Sequence, residues 1–339
     1  MAGYYFNLPA ITHLSLVEMQ VLVTHSSFSY TGGTCHSRNI VMLWRHINNI
    51  RQGKRSLLLT YTSHLKQYLK CCCEFVDKTA AQYIGTCFKN KPRSQWNEIL
   101  VVEAQDMPIE YFEEIKQWGK VSYSCDDSAI LYPEHCSRQA ELKALFPNNI
   151  SYILSNNWSL QSTQRIMKFA KQAFPYAVIP QQNINSLANN VGEMPILYIT
   201  NGDSQKQNDA IVNIVNAYSS DYHNIGILVP WKNDVLYFEK ILDNARFVFS
   251  TYYPDEQRFP NWGVTDFCST HLTTFKCAKG ICFDTVIIPN FHKYKENCGT
   301  FNINWQDYYV ACTSAHQNLY LLSDYELPQL NSIIDKQYL

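Results

Sequence analysis

The amino-acid sequence predicts an α/β protein built as two tandem domains with mainly parallel sheets. Short apolar, β-branched runs alternate with amphipathic segments along almost the whole chain, a pattern typical of parallel strands covered by helices on both faces. The chain has 339 residues, which corresponds to about two domains at roughly 150 residues each. Hydrophobic residues make up 46% of the sequence, enough for a substantial core.

The predicted elements follow from the spacing of apolar residues. Compact apolar runs bounded by polar residues predict strands at Ser56–Tyr61, Glu98–Val102, Val121–Ser124, Ile150–Leu154, Ile196–Thr200, Ile225–Val229, His271–Thr274, Thr285–Pro289 and Leu319–Leu322. Apolar residues at helical spacing predict helices at His64–Phe75, Ile109–Trp118, Ser162–Phe174, Asp209–Ala217 and Val235–Leu242.

The sequence also suggests where the two domains meet. The first series of strand–helix units runs to about Asn149, and a second series begins after a polar stretch at Gln181–Glu193. We therefore predict domains at residues 1–150 and 151–339. Because ligands of open α/β sheets bind beyond the carboxyl ends of the strands, a site between two such domains is expected.

The charge balance of the chain excludes one class of nucleic-acid-binding protein. Lys and Arg together number 28 and Asp and Glu 29, so the net charge of −1 rules out a polybasic nucleic-acid binder. The small basic clusters, Lys54 with Arg55 and Lys89, Lys91 with Arg93, are expected to be solvated.

The sequence contains neither a secretory signal pattern nor a run of about 18 apolar residues, so a cytoplasmic protein without contact with a membrane is expected. The 12 cysteines form no Cys-x-x-Cys pair, so reduced thiols and no metal site are predicted.

Several segments, in the same order, resemble the motor core of superfamily 1 helicases of the UvrD/Rep type. Leu100–Asp106 is similar to the family's DEAQD segment. Thr273–Gly280, followed by Phe283–Pro289, is similar to its T-x-H-x-AKG-x-x-F-D-x-V segment. Tyr309–His316, followed by Leu319–Leu322, is similar to its YVAxTRAR and LYL segments. The resemblance implies two tandem RecA-like domains of the P-loop NTPase type.

The phosphate loop departs from the family at its essential positions. Tyr30 and Cys35 stand where the resemblance places glycines, and His36 stands where it places the lysine. A phosphate loop needs glycines so that backbone N–H groups wrap the phosphates, and a fixed cation that a mostly neutral imidazole does not replace. Ser37 alone keeps the hydroxyl that would bind magnesium.

The positions of the metal-binding acid and of the γ-phosphate sensor also differ from those of the family. Val102 replaces the aspartate that organises the metal, and Ala129 replaces the glutamine that senses the γ-phosphate. Glu103 matches the base that activates water, and Asp106 ends the same segment. With no metal carboxylate beside them, we interpret Glu103 and Asp106 as vestigial, and we predict no functional catalytic residue.

Two arginines of the family are also replaced. Ser159, in Leu154–Ser159, takes the place of one, and Ser314 stands where the last motif has its arginine finger. An arginine finger alone is worth about 10³–10⁵ in rate, so its loss is severe.

The resemblance implies two further sets of residues. The vestigial nucleotide-binding positions are Gln20, Gly33, Thr34, His36 and Ser37, and Cys282 stands where the family has a glutamate near the ribose. The nucleic-acid-binding positions are Thr60, Tyr61, Thr62, Tyr132, Thr274, Lys276 and Lys279, among which Lys276 is expected to reach a phosphate. These binding positions are better retained than the nucleotide-binding ones.

The sequence therefore favours a catalytically inactive, helicase-like protein. It would act as a scaffold or as a subunit that binds single-stranded nucleic acid in a repair or defence complex, with a nuclease or an active helicase as its protein partner and with no cofactor. Two alternatives stay open. One is an active ATP-dependent helicase or translocase with an atypical site, and the other is a sensor that binds ATP and magnesium without hydrolysis.

Overall fold

The computed structural model describes residues 3–6, 8–32, 35–88, 92–153, 162–255, 266–300 and 302–339, without the side chains of residues 35 and 36. The chain divides into an N-terminal unit, Phe6–Gln161, and a C-terminal unit, Ser162–Leu339 together with residues 1–5. The sequence placed the boundary after residue 150, whereas the strand Ile150–Ile153 pairs with the sheet of the N-terminal unit.

The N-terminal unit contains a six-stranded sheet. Its strands are β1 (Phe28–Thr31), β2 (Ser56–Thr60), β3 (Ile84–Thr86), β4 (Glu98–Val101), β5 (Lys120–Cys125) and β6 (Ile150–Ile153), in the order β3-β2-β4-β5-β1-β6. All neighbouring strands are parallel. Its helices are α1 (Leu16–Val23), α2 (Cys35–Arg51), α3 (Ser63–Glu74), α4 (Lys78–Ala81), α5 (Ile109–Ile115) and α6 (Gln139–Leu145).

The C-terminal unit contains a seven-stranded sheet. Its strands are β7 (Ile196–Ile199), β8 (Ile225–Val229), β9 (Ser250–Tyr252), β10 (Thr270–Thr274), β11 (Phe283–Ile288), β12 (Ala315–Ser323) and β13 (Asp335–Tyr338), in the order β13-β7-β12-β11-β8-β10-β9. These strand pairs are parallel too. Its helices are α7 (Gln164–Ala173), α8 (Gln181–Asn185), α9 (Ser204–Tyr218), α10 (Lys232–Asn244), α11 (Phe275–Ala278), α12 (Tyr294–Asn297) and α13 (Trp305–Thr313).

The two parallel sheets confirm the predicted α/β class, a fold consistent with tandem RecA-like domains. β2, β4 and β8 are buried along their whole length, as their continuous apolar runs predicted. The polar stretch that the sequence placed between the domains lies inside the C-terminal unit and begins with the short helix α8.

Polar side chains cap the N-terminal ends of helices. Thr62 caps α3 and Asp203 caps α9 through side-chain oxygens that accept backbone N–H groups, which satisfies donors that the first turn leaves open. Throughout the described part of the chain, no helix combines the length and apolar character that crossing a membrane requires.

Candidate functional site

The segment that resembles a phosphate loop joins β1 to α2. β1 ends at Thr31, and Gly32 follows with a φ of +82°, a left-handed conformation that favours glycine. Gly33 and Thr34 lie outside the described residues, as do the side chains of Cys35 and His36. Ser37 is fully buried on the first turn of α2. β1 and α2 therefore flank the segment that resembles a phosphate loop.

A buried arginine that the sequence analysis missed lies directly after this loop. Arg38 has no exposed surface, and its Nη2 lies 3.3 and 3.4 Å from the two carboxylate oxygens of Glu103. Its Nη1 donates to the Gly32 carbonyl at 3.2 Å and to Asp126 Oδ2 at 3.3 Å. The guanidinium thus connects the ends of β1, β4 and β5, and we call Arg38, Glu103 and Asp126 the buried ion network.

Glu103 is held at the end of β4 by several contacts. Its backbone has a φ of +52°, which is unusual for a residue with a side chain. Gln105 Nε2 donates to Glu103 Oε2 at 2.8 Å, and the Glu103 N–H donates to Ser124 Oγ at 3.4 Å. Asp106 Oδ1 accepts the Leu131 N–H at 3.4 Å. Both predicted vestigial acids therefore have defined partners inside the N-terminal unit.

Three of the replaced positions that the structure describes, Val102, Ala129 and Ser314, are buried. Val102 and Ala129 have no exposed surface. Ser314 directly follows α13, and its hydroxyl donates to the Val310 carbonyl of that helix at 2.8 Å. Ser159 lies outside the described residues. Gln20 is exposed on α1.

This donor set does not fit a magnesium-bound triphosphate. Mg²⁺ prefers hard oxygen ligands such as carboxylates, and Val102 supplies none. The carboxylates of Glu103 and Asp126 share the single positive charge of Arg38, whose guanidinium already engages both. We therefore derive no reaction step through ATP.

The predicted nucleic-acid positions of the N-terminal unit include an aromatic cluster. Thr60 is buried, and the Thr62 hydroxyl accepts the Leu65 N–H at 3.2 Å. The ring centroid of Tyr61 lies 4.6 Å from that of Tyr132 and 5.3 Å from that of Phe88. We call Tyr61, Phe88 and Tyr132 the aromatic cluster.

Phe88 is the exposed member of this cluster, with 67% of its surface accessible, whereas Tyr61 and Tyr132 are partly buried. Phe88 was not predicted as a binding residue, although the basic residues Lys89, Lys91 and Arg93 follow it directly in the sequence. Of those residues, Lys89 and Lys91 lie outside the described part of the chain, and Arg93 is exposed. The cluster thus offers an aromatic ring to solvent near the carboxyl end of β2.

The predicted positions of the C-terminal unit lie around α11. Thr274 precedes the helix and is buried, and Lys279 follows it with 2% exposure. Lys276 Nζ lies 3.8 Å from the buried Asp307 Oδ1. The predicted phosphate-contacting lysine therefore has a carboxylate partner within its own unit.

No protein-family model and no curated protein matches this chain. Among solved structures, it is similar to the C-terminal domain of a possible DNA helicase from Lactobacillus plantarum WCFS1. The identity is 19% over 52% of this chain and 97% of that domain, with a TM-score of 0.37.

The chain is also similar to the arterivirus nonstructural protein 10 helicase, at 11% identity over 94% of this chain and with a TM-score of 0.44. It spans 63% of that protein's chain. Such distant likeness concerns the fold and not the chemistry.

Proposed function

We propose that this chain is a catalytically inactive superfamily 1-like helicase core that serves as a scaffold and binds single-stranded nucleic acid in a cytoplasmic DNA-processing complex of repair or defence. Its protein partner would be a nuclease or an active helicase. The observation that carries the proposal is the buried ion network, in which Arg38 pairs with Glu103, the acid that matches the family's water-activating base.

The network opposes hydrolysis for an electrostatic reason. A general base must be free to accept a proton from water in the transition state. The Glu103 carboxylate instead faces a permanently charged guanidinium in a fully buried position. Separating a buried pair costs about 3–5 kcal/mol, so the carboxylate is not readily released for catalysis.

The aromatic cluster supports the binding part of the proposal. Aromatic side chains bind single strands because successive bases stack on them, at about 1–3 kcal/mol per base and without sequence preference. Phe88 presents a ring to solvent, and Tyr61 packs between Phe88 and Tyr132. Such a surface suits a chain whose net charge of −1 provides little general attraction for phosphates.

Measurements on the purified protein test the absence of ATP hydrolysis and the binding of a single strand. With Mg-ATP and a short oligothymidine strand, we expect no ATP turnover above background, the same result for Glu103→Gln, and no rise in unfolding temperature with ATP. Fluorescence anisotropy should give an affinity for the strand that falls about tenfold in Tyr61→Ala and in Phe88→Ala.

Phe75→Ala is the matched control, because Phe75 is an equally exposed phenylalanine of the same unit, at 72% against 67% for Phe88. Turnover that Glu103→Gln abolishes would establish the active-helicase alternative. A rise in unfolding temperature with ATP, without turnover, would establish the sensor alternative. An affinity for the strand that is unchanged in both Tyr61→Ala and Phe88→Ala would contradict the binding part of the proposal.

A further inference from the structure

A cavity lies in the C-terminal unit, at the carboxyl ends of the neighbouring strands β8 and β11. Its volume is about 170 Å³, and it is partly open to solvent. The carboxyl ends of parallel strands are where α/β sheets usually place ligands. Apolar and polar side chains both line it, namely Val229, Pro230, Trp231, Asp234, Phe238, Pro289, Asn290, Lys293 and Asn297.

The polar groups of this cavity keep hydrogen-bonding capacity that the described part of the chain does not use. Asn290 Oδ1 accepts from Gln207 at 3.4 Å, which leaves its Nδ2 donors. Asn297 Nδ2 donates to the Tyr308 hydroxyl at 2.7 Å, which leaves its Oδ1. Lys293 is exposed at the rim. Donors, acceptors and a cation therefore converge on one cavity.

Asp234 supplies the carboxylate. It lies in the first turn of α10, where it accepts the Trp231 N–H, and burial raises its pKa above the usual range. A carboxylate has about four lone-pair positions, so the cap leaves room for a ligand with two adjacent N–H groups. Trp231, partly exposed beside it, offers an aromatic face.

We propose that this cavity binds the guanine base of a nucleotide, with Trp231 contacting the ring, Asp234 accepting the base N–H groups and Lys293 meeting the phosphate. Guanine presents two adjacent N–H donors on one edge, whereas cytosine and adenine place a ring acceptor beside their amino group, which a carboxylate repels. Asn290 Nδ2 is the donor for the guanine carbonyl. The guanine comes from a free mononucleotide or from one position of a single strand.

Calorimetric titration of the full chain with guanosine monophosphate tests the site. We expect binding that Asp234→Asn and Trp231→Ala each weaken at least about tenfold. Trp231→Phe should retain most of the affinity because it keeps the ring. Inosine monophosphate, which lacks the exocyclic amino group, should bind about tenfold more weakly. Asn233→Ala is the matched control, because Asn233 lies on the same helical turn, is exposed and does not line the cavity.

The second arm compares an oligothymidine strand with the same strand carrying one guanine. If the protein prefers the strand that carries guanine, and if Asp234→Asn removes this preference, the strand is the source of the base. If the protein binds the mononucleotide but shows no preference between the strands, the free nucleotide is the source. If neither ligand binds, or if Asp234→Asn has no effect, the proposal is overturned. Tyr61→Ala should leave mononucleotide binding unchanged, so this outcome is independent of the aromatic cluster.

Discussion

His46 shows how a single buried side chain makes the stability of the N-terminal unit depend on pH. Its Nδ1 lies 2.9 Å from Ser56 Oγ and its Nε2 lies 3.0 Å from the Ala80 carbonyl, with no exposed surface. These partners suit a neutral imidazole that accepts from the serine and donates to the carbonyl. Burial lowers the pKa of His46 to about 4, because the charged form loses its hydration.

This lowered pKa predicts a stability that declines in weak acid. The unfolded chain gains a proton on this histidine below pH about 6.5, whereas the folded chain does so only near pH 4. The contribution of neutral His46 to the free energy of unfolding is therefore complete above pH about 6.5. It is lost as the pH falls toward 4, by up to about 3 kcal/mol. Urea unfolding measured across this pH range should give a free energy of unfolding that falls with falling pH. His46→Gln should make this fall less steep. An unchanged slope in that variant would contradict the assignment.

Single residues also mark the limit of what the sequence predicts at the site. The substitutions at Val102 and Ala129 were predictable because each aligns with a charged or polar residue of a known motif. The role of Arg38 was not, because Arg38 and Glu103 are 65 positions apart. Their contact depends on the strand order, which places the end of β4 near that of β1. The sequence held only one signal, a basic residue directly after the loop serine.

Secondary-structure elements were easiest to predict where burial imposes a continuous apolar run. β8, with the sequence Ile-Gly-Ile-Leu-Val, is completely buried and was predicted with its observed ends. β1 was missed because four residues that include a serine and a threonine carry no clear period. β13 was missed because its residues are mostly exposed and polar, although it pairs with β7 at the sheet edge.

The glycine inside β8 predicts an effect of packing at the level of a strand. A Cβ built on Gly226 would lie 2.7 Å from the ring of Phe283 on β11, closer than side-chain atoms approach. We expect Gly226→Ala to lower the free energy of unfolding of the C-terminal unit by about 1–3 kcal/mol, because the ring must move within a packed core. Thermal unfolding monitored by circular dichroism measures this loss.

Two variants separate the packing effect from a general effect of alanine. Gly3→Ala is the matched control, because a Cβ there meets nothing within 4 Å. Gly226→Ala combined with Phe283→Leu should recover part of the loss, since the smaller side chain relieves the contact. Equal stability of the Gly226→Ala variant and the unaltered protein would show that the two strands can separate at no cost.

At the scale of the whole molecule, the C-terminal unit is discontinuous in sequence. Residues 1–5 belong to it, although residues 6–161 form the other unit. The ring of Tyr4 contacts those of Phe267 and Phe283 at centroid distances of 5.7 and 6.1 Å. The sequence-based division into 1–150 and 151–339 had no signal for this arrangement, because these contacts join residues more than 200 positions apart.

Asn224 binds the backbone of this first segment, which leads to a prediction about the molecule as a whole. Its Oδ1 accepts the Tyr5 N–H and its Nδ2 donates to the Tyr5 carbonyl, both at 2.9 Å. Asn224→Ala leaves two backbone groups without these partners, so we expect a loss of about 1–3 kcal/mol from the C-terminal unit. Hydrogen exchange should accelerate at the Tyr5 amide while amides of β2 keep their rates. Tyr5→Phe, which keeps the backbone and the ring, should exchange like the unaltered protein. An unaltered Tyr5 exchange rate in Asn224→Ala would mean that other contacts, such as the hydrogen bond from the Tyr4 N–H to the Phe267 carbonyl, hold the segment without Asn224.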